Sequence, residues 1–236
     1  MNGKNSNVRQ RNMQKRRTRI LAEARRLLTD GGFERLNLRD LANKAEVTVP
    51  TIYNLIGKKE DVLLALAAEV VAEIEARTPT VDDKDPLRLT AGIVEETTRL
   101  FAEEPDYYRS AFLAIEGLDQ HGQHHEGVER IYSWVADLVH HGIEACRQAR
   151  LLKGRVPADQ MSAILMKNFR MNCRSWAFGH CSIEVFRHQA LSDLYLIIAS
   201  DAIETFHARL MREVKKTNKV IYSNIPKVQK REGETL

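Results

Sequence analysis

The sequence contains little cysteine and no long apolar run. Its 236 residues include three cysteines, none of them in a Cys-x-x-Cys pair. Such a sparse and odd-numbered set excludes a disulfide framework and is typical of a reducing compartment. No apolar segment approaches the roughly 18 residues of a membrane-spanning helix, and the polar, basic N-terminus lacks the hydrophobic segment of a secretion signal. We therefore expect a cytoplasmic protein with no membrane partner.

The signatures of common enzyme classes are missing as well. The chain has no Gly-x-Ser-x-Gly, no phosphate-binding loop and no dinucleotide fingerprint. Cys146 is the only hint of a nucleophile. The histidines that precede it match no zinc motif in their spacing and are His121, His124, His125, His140 and His141. We expect no catalytic residue, no metal ligand and no cofactor, and we keep metal sensing as a minor alternative.

Positive charge is concentrated at the start of the chain. Residues 1–60 contain 14 Lys/Arg and six Asp/Glu, a net charge of +8. Residues 61–211 have a net charge of −8, and residues 212–236 one of +4. A basic first quarter joined to an acidic body indicates a polyanion-binding module carried by a domain with another task. An ordinary solvated run of charges is the alternative.

The apolar residues recur at helical spacing, and no segment alternates as a strand would. The sequence therefore predicts an all-α fold of about nine helices. After the first helix at about 17–29 come two short helices capped by Asn37 and Thr48. The later helices are expected at about 58–77, 86–103, 106–118, 126–151, 157–178 and 182–216. Two short helices joined by a tight turn and packed on a longer preceding helix are typical of a helix-turn-helix.

Residues 17–66 resemble the DNA-binding domain of TetR-family transcriptional regulators, the tetracycline-repressor-like proteins. The ordered motifs that carry this resemblance are Ala24–Leu28, Gly32-Phe33, Asn37–Ala42, Glu46-Val47-Thr48, Thr51-Ile52-Tyr53 and Lys59–Val62. Three places depart from the family pattern. Asn37 replaces a common Thr, Glu46 stands where Gly is usual, and Leu55-Ile56 replace an aromatic or histidine and a Phe.

The resemblance implies an N-terminal helix-turn-helix domain followed by a helical domain for effector binding and dimerisation. We expect a flexible basic arm at 1–16, the DNA-binding domain at 17–66, the effector-binding and dimerisation domain at 67–216, and a basic tail at 217–236. The arm either follows a phosphate backbone, enters a groove or remains a passive tail. The implied function is that of a ligand-responsive repressor of transcription, released from DNA by a small, largely apolar effector.

The second short helix is expected to lie in the major groove of double-stranded DNA. Thr51 and Asn54 can exchange hydrogen bonds with base edges, and Val49 and Pro50 can contact a thymine methyl group. Phosphate contacts are expected, in part from the resemblance, from Tyr53, Lys59, Thr48, Arg39 and Arg17. Arg16 and Arg19 are further candidates. For each residue the alternative is a solvated surface side chain.

A symmetric homodimer is expected, because one reading helix covers too few base pairs for useful specificity. Its operator should be palindromic, with the two helices about 34–36 Å apart or somewhat more. In the family the last two long helices pair as a four-helix bundle. The apolar stripe that we assign to this interface is Leu191, Leu194, Tyr195, Ile198, Ala202 and Phe206. An intrachain core is the alternative for this stripe.

The middle of the body is expected to hold an effector pocket. The candidate lining residues are Tyr108, Phe112, Trp134, Phe169, Asn172 and Trp176, although aromatic residues at helical spacing more often belong to an ordinary core. A DNA-binding regulator whose C-terminal domain binds a protein partner or a metal, rather than an organic ligand, is the alternative function.

Overall fold

The computed structural model describes residues 2–80, 82, 85–120 and 126–224; the side chains of 2–6, 119 and 120 are not described. These residues form ten helices and no strand, which confirms the all-α prediction with one helix more than expected. The helices are α1 (Asn2–Arg35), α2 (Leu38–Lys44), α3 (Val49–Leu55), α4 (Lys59–Arg77), α5 (Leu87–Glu103), α6 (Pro105–Gln120), α7 (Glu126–Gln148), α8 (Ala158–Ala177), α9 (Ile183–Ala199) and α10 (Glu204–Asn224).

The chain divides into two compact units. Unit 1 comprises residues 1–77 and 100–135, and unit 2 comprises residues 78–99 and 136–236. The functional boundary predicted near residue 66 falls inside α4 and stays a prediction, because these units are defined by packing. None of the helices in the described ranges is long and apolar enough to cross a membrane.

Helix α1 is longer than the sequence predicted. Residues 2–16, expected to be a flexible arm, are helical and continuous with the predicted first helix. Once Ile20, Ala24 and Leu28 bury one face of this helix, each further residue adds one backbone hydrogen bond at little cost, and the arm contains no proline. The helical path is interrupted at Gly32, whose φ of 67° lies in the left-handed region that glycine adopts freely.

The two short helices begin where the sequence predicts. The Asn37 side chain accepts a hydrogen bond from the Arg39 amide at 2.8 Å and caps α2. Thr48 caps α3 in the same way, and Pro50 stands in the first turn, where no intrahelical donor is lost. Leu41 and Ile52 are fully buried against the rest of unit 1. Capping and one buried apolar face thus fix both helices.

An arginine surrounded by tyrosines joins α1 to α6 within unit 1. The guanidinium carbon of Arg25 lies 4.1 Å from the centre of the Tyr107 ring, and Nη2 donates to Glu104 at 2.7 Å. Phe101 stacks on Tyr108 with 4.8 Å between the ring centres. Burial raises the pKa of both Tyr107 and Tyr108. The cation–π contacts and the ion pair fix α6 on the face of α1 opposite to solvent.

In unit 2, α9 packs against both α8 and α10. The predicted helix at 182–216 is wrong as one element, since it breaks between Ala199 and Glu204. The carboxylate of Asp201 accepts hydrogen bonds from the amides of Gly154 at 2.7 Å and Arg155 at 2.9 Å. These contacts, with a bridge between Leu152 and Ala202, hold the chain out of helical geometry.

Candidate DNA-binding surface

Helix α3 presents its outward side chains from a rigid start. The Thr48 hydroxyl accepts a hydrogen bond from the Thr51 amide at 3.3 Å and lies 2.8 Å from the Thr51 hydroxyl. Tyr53 is 52% exposed, while Ile52 beside it is fully buried. Thr48, Pro50 and Asn54 are also exposed, and Val49 and Thr51 partly so. The residues predicted to contact bases therefore lie together on the open side of a helix whose other side is anchored.

The predicted phosphate ligands differ in their surroundings. Arg17 donates from Nη1 to the carbonyl oxygen of Leu55 at 3.0 Å, so it ties α1 to the last turn of α3. Lys59 lies with its ammonium 4.0 Å from the centre of the Phe33 ring, a cation–π contact at the start of α4. Arg39 is exposed on α2. Of these three, Arg17 has the clearest structural role inside the domain.

Glu46, which stands where the family pattern has glycine, lies in the turn before α3. Glu46 has a φ of 49°, in the left-handed region that glycine occupies without strain. Its carboxylate extends into solvent and pairs with Arg19, whose Nη1 lies 2.9 Å from Oε2. Arg19 was a candidate phosphate ligand, and in this structure its guanidinium is held by Glu46.

The predicted effector residues are divided equally between the two units. In unit 1, Tyr108 is buried beside Arg25 and Phe101, whereas Phe112 and Trp134 are partly exposed. In unit 2, Phe169 and Trp176 pack around Phe186, with ring centres 5.4 and 6.2 Å away.

The amide of Asn172 also lies in unit 2 and donates to Asp193 at 2.8 Å. Its polar group is thus satisfied inside the protein. The pocket itself stays a prediction.

Unit 1 also contains an open cleft that the sequence did not predict. It has a volume of about 940 Å³ and lies among the kinked last turn of α1, the start of α4 and α6. Phe33, Leu113 and Leu118 give it apolar walls, and Glu34 and Glu60 add carboxylates. Its size is within the range of small-molecule sites.

The apolar stripe predicted as the dimer interface packs inside the single chain, and its part in a dimer stays a prediction. All six residues are buried within the single chain, at 9% exposure or less: Leu191, Leu194, Tyr195, Ile198, Ala202 and Phe206. The reason is that α9, which carries the first four, packs against both α8 and α10, and Phe206 lies on the buried face of α10. Burial also raises the pKa of the Tyr195 hydroxyl to about 12.

A different apolar stripe is exposed in unit 2. Ile164, Met171 and Phe178 follow one another at intervals of seven residues along α8 and its C-cap, and their exposures are 40%, 64% and 53%. Residues seven apart lie on the same face of a helix. This stripe is more exposed than the predicted one.

The described histidines and the cysteine that suggested a metal sensor or an enzyme are buried or bonded to other groups of the protein. Nδ1 of His140 lies 2.9 Å from Asp159, and His141 contacts the backbone oxygen of Asp137. Cys146 is fully buried, and its burial raises the pKa of the thiol to about 12. Within the described ranges no group of three His, Cys, Asp or Glu side chains is placed to hold a metal ion. His121, His124 and His125 lie outside the described residues.

The family model for bacterial regulatory proteins of the tetR family matches residues 20–66. A curated relative, the HTH-type transcriptional repressor KstR of Rhodococcus jostii (strain RHA1), is 32% identical over 90 residues. That match covers 38% of this chain and 42% of the relative, so it spans less than half the length of either protein.

Solved structures share the fold at low sequence identity. SmeT, the repressor of the Stenotrophomonas maltophilia multidrug efflux pump SmeDEF, has a TM-score of 0.63 and 14% identity over 80% of this chain and 92% of its own. Thermus thermophilus FadR, a TetR-family repressor, has a TM-score of 0.51 and 17% identity over 93% of this chain and 100% of its own. The similarity to bacterial regulatory proteins of the tetR family therefore covers the domain at residues 20–66.

Proposed function

We propose that this protein is a transcriptional repressor that binds a palindromic operator as a homodimer and is released by a small, largely apolar effector. The observation that carries the proposal is the exposed outer face of α3, held by its caps within the segment that the family model matches. A regulator of bacterial genes works where the DNA is, in the cytoplasm.

The charge of the N-terminal segment supports DNA as the partner. The net charge of +8 on residues 1–60 favours a polyanion, and neutralised phosphates release bound counterions. In the complex, Thr51 and Asn54 read base edges, while Val49 and Pro50 contact thymine methyl groups. Tyr53 and Lys59 position the helix through phosphates.

A second copy of the chain is the partner that we assign to the exposed stripe on α8. Ile164, Met171 and Phe178 repeat at the heptad interval by which antiparallel or parallel helices pack against each other. Burying three large apolar side chains against their symmetry mates contributes several kcal/mol, at about 25 cal/mol per Å² of apolar surface. The dimer then brings two copies of α3 to one palindromic operator.

A small, apolar effector is supported by one of the solved structures that share the fold, and two places in the chain are candidates for its site. The FadR structure is described in complex with lauroyl-CoA. An apolar effector would enter either the aromatic set predicted from the sequence or the cleft beside Phe33 and Leu113. To change operator affinity about 5- to 150-fold, it needs only about 1–3 kcal/mol of coupling.

Electrophoretic shifts with duplexes from the region upstream of the gene test the DNA-binding function. The protein should shift a palindromic duplex at nanomolar concentration and sediment as a dimer. A protein that remains monomeric and shifts no duplex at low ionic strength would contradict the proposal.

Thermal-shift measurements separate the effector alternatives. A panel of fatty acids and acyl-CoA thioesters should raise the melting temperature in proportion to occupancy. A response to divalent ions that chelator removes would instead favour the metal alternative. A response to neither would favour a protein partner for unit 2.

A further inference from the structure

The face of α1 that packs into the core continues toward the N-terminus along residues that lie outside the core. Ile20, Ala24 and Leu28 are buried, and the same helix face runs back through Arg16, Asn12 and Arg9. At 1.5 Å per residue, the segment from residue 8 to 16 is about 12 Å long, and all of it lies beyond the buried part of the helix. This projecting segment is the α1 extension, residues 8–16.

The α1 extension forms one wall of a cleft, and the reading helix forms the other. Arg9, Asn12 and Arg16 line it on the α1 side, and Thr51, Asn54 and Leu55 line it on the α3 side. The cleft is open and has a volume of about 490 Å³. Arg17, bonded to the carbonyl of Leu55, fastens the two walls together at its base. The separation of the walls is therefore set by the domain itself.

The charge of the cleft is of one sign. The first 22 residues of the chain include seven Lys/Arg and no Asp/Glu, and no carboxylate lines the cleft. Arg9 and Arg16 therefore face no acidic partner within the cleft. Both guanidinium groups are exposed, and both are free to bind an anion bidentately.

We infer that this cleft takes one sugar–phosphate strand of duplex DNA, with α3 in the major groove on one side of the strand and the α1 extension on the other. The inference rests on the proposed function and adds a second set of DNA contacts to it. Arg9 and Arg16 bind consecutive phosphates, and Asn12 donates between them. Val8 and Met13, both exposed beside the cleft, contact the apolar faces of the deoxyriboses.

A matched pair of double variants tests the inference. R9A/R16A removes two cations that line the cleft, and R11A/K15A removes two exposed cations of the same segment that do not. All four side chains lie outside the core, and circular dichroism verifies that each variant retains its helices. The probe is the duplex that the full-length protein selects from a random library, and anisotropy gives the dissociation constant between about 50 and 200 mM salt.

R9A/R16A should raise the dissociation constant at least tenfold at about 0.1 M salt and reduce the slope of log K against log salt by about two. R11A/K15A should change the dissociation constant by less than about threefold, because distant exposed charges are screened. Hydroxyl-radical protection of the sugars next to the groove that α3 reads should disappear only in R9A/R16A.

Two outcomes would overturn the inference. Equal losses in the two variants would mean that the segment acts through its overall charge, and an unchanged R9A/R16A would mean that the cleft holds no strand. Failure of the unmodified protein to select any duplex would contradict the proposed function instead.

Discussion

Arg19 holds Glu46 at two points across the turn between α2 and α3. Its Nη1 lies 2.9 Å from the Glu46 carboxylate, and its Nη2 donates to the Glu46 carbonyl oxygen at 3.1 Å. Glu46 thus neutralises a cation of the basic domain at a position where the family usually has glycine. The pair competes with phosphate for Arg19.

Replacing Glu46 should therefore strengthen DNA binding. In Glu46→Gln the repulsion from one carboxylate is lost and Arg19 is released, so we expect the dissociation constant to fall about two- to tenfold. The salt slope should steepen by about one, because one more phosphate is neutralised. Glu23→Gln, which breaks the pair with Arg26 elsewhere on α1, is the matched control. Similar gains in both variants would show that the position of the charge is irrelevant.

The left-handed backbone at Glu46 allows a separate test of stability. Glu46→Gly should be more stable than Glu46→Ala by about 1 kcal/mol, because only the alanine retains a Cβ at a φ of 49°. Chemical denaturation of the two variants measures this difference directly. A more stable alanine variant would mean that the turn relaxes to another conformation in solution.

Base reading and phosphate contact on the reading helix should be separable. Asn54→Ala is expected to cost about 1–3 kcal/mol on the preferred duplex and to relax the preference at one base pair. Lys59→Ala should weaken binding to all duplexes alike and lower the salt slope by about one. Anisotropy on a set of single-base-pair variants distinguishes them. If neither substitution changes binding, α3 is not the reading helix.

The α8 stripe predicts how the dimer can be broken. Met171→Glu places a charge on the most exposed member of the stripe, and we expect the dimer to dissociate at least tenfold more readily. Tyr222→Glu changes a large exposed side chain on α10 outside the stripe and should leave the dimer intact. Sedimentation equilibrium measures both. A dimer unaffected by Met171→Glu would place the interface elsewhere.

The carboxyl group of Asp193 should make the stability of unit 2 depend on pH. Burial raises its pKa above the ordinary value, and the hydrogen bond from Asn172 only partly opposes this. A raised folded-state pKa contributes stability below the unfolded pKa, and that contribution is lost as pH rises through the folded pKa.

Asp193→Asn should therefore be more stable than the unmodified protein at pH 7, with the difference shrinking toward pH 4. Urea denaturation at several pH values measures it, with exposed Asp137→Asn as the control for a lost charge. A stability difference that grows toward pH 4 would contradict burial of the Asp193 carboxylate as its cause.

Much of the domain that contains α2 and α3 could be predicted, because the residues that determine these helices are close together in the sequence. Asn37 and Thr48 each cap a helix through hydrogen bonds within three residues, and Leu41 and Ile52 recur at the spacing that buries one helix face. The unusual turn at Glu46 was also visible, since the motif around it marks the place of a glycine. The role of Arg17 was not visible, because its bond to Leu55 joins residues 38 positions apart.

The sequence by itself determined the helical class, the two capped helices and the basic character of the first sixty residues, since short-range hydrogen bonds and periodicity suffice for these. Only the tertiary structure decided which apolar stripe faces the core and which remains exposed. Leu191 and Met171 are equally apolar in the sequence, but neighbouring helices cover the first and leave the second open. Burial depends on contacts distant along the chain, as does the break that Asp201 imposes between α9 and α10.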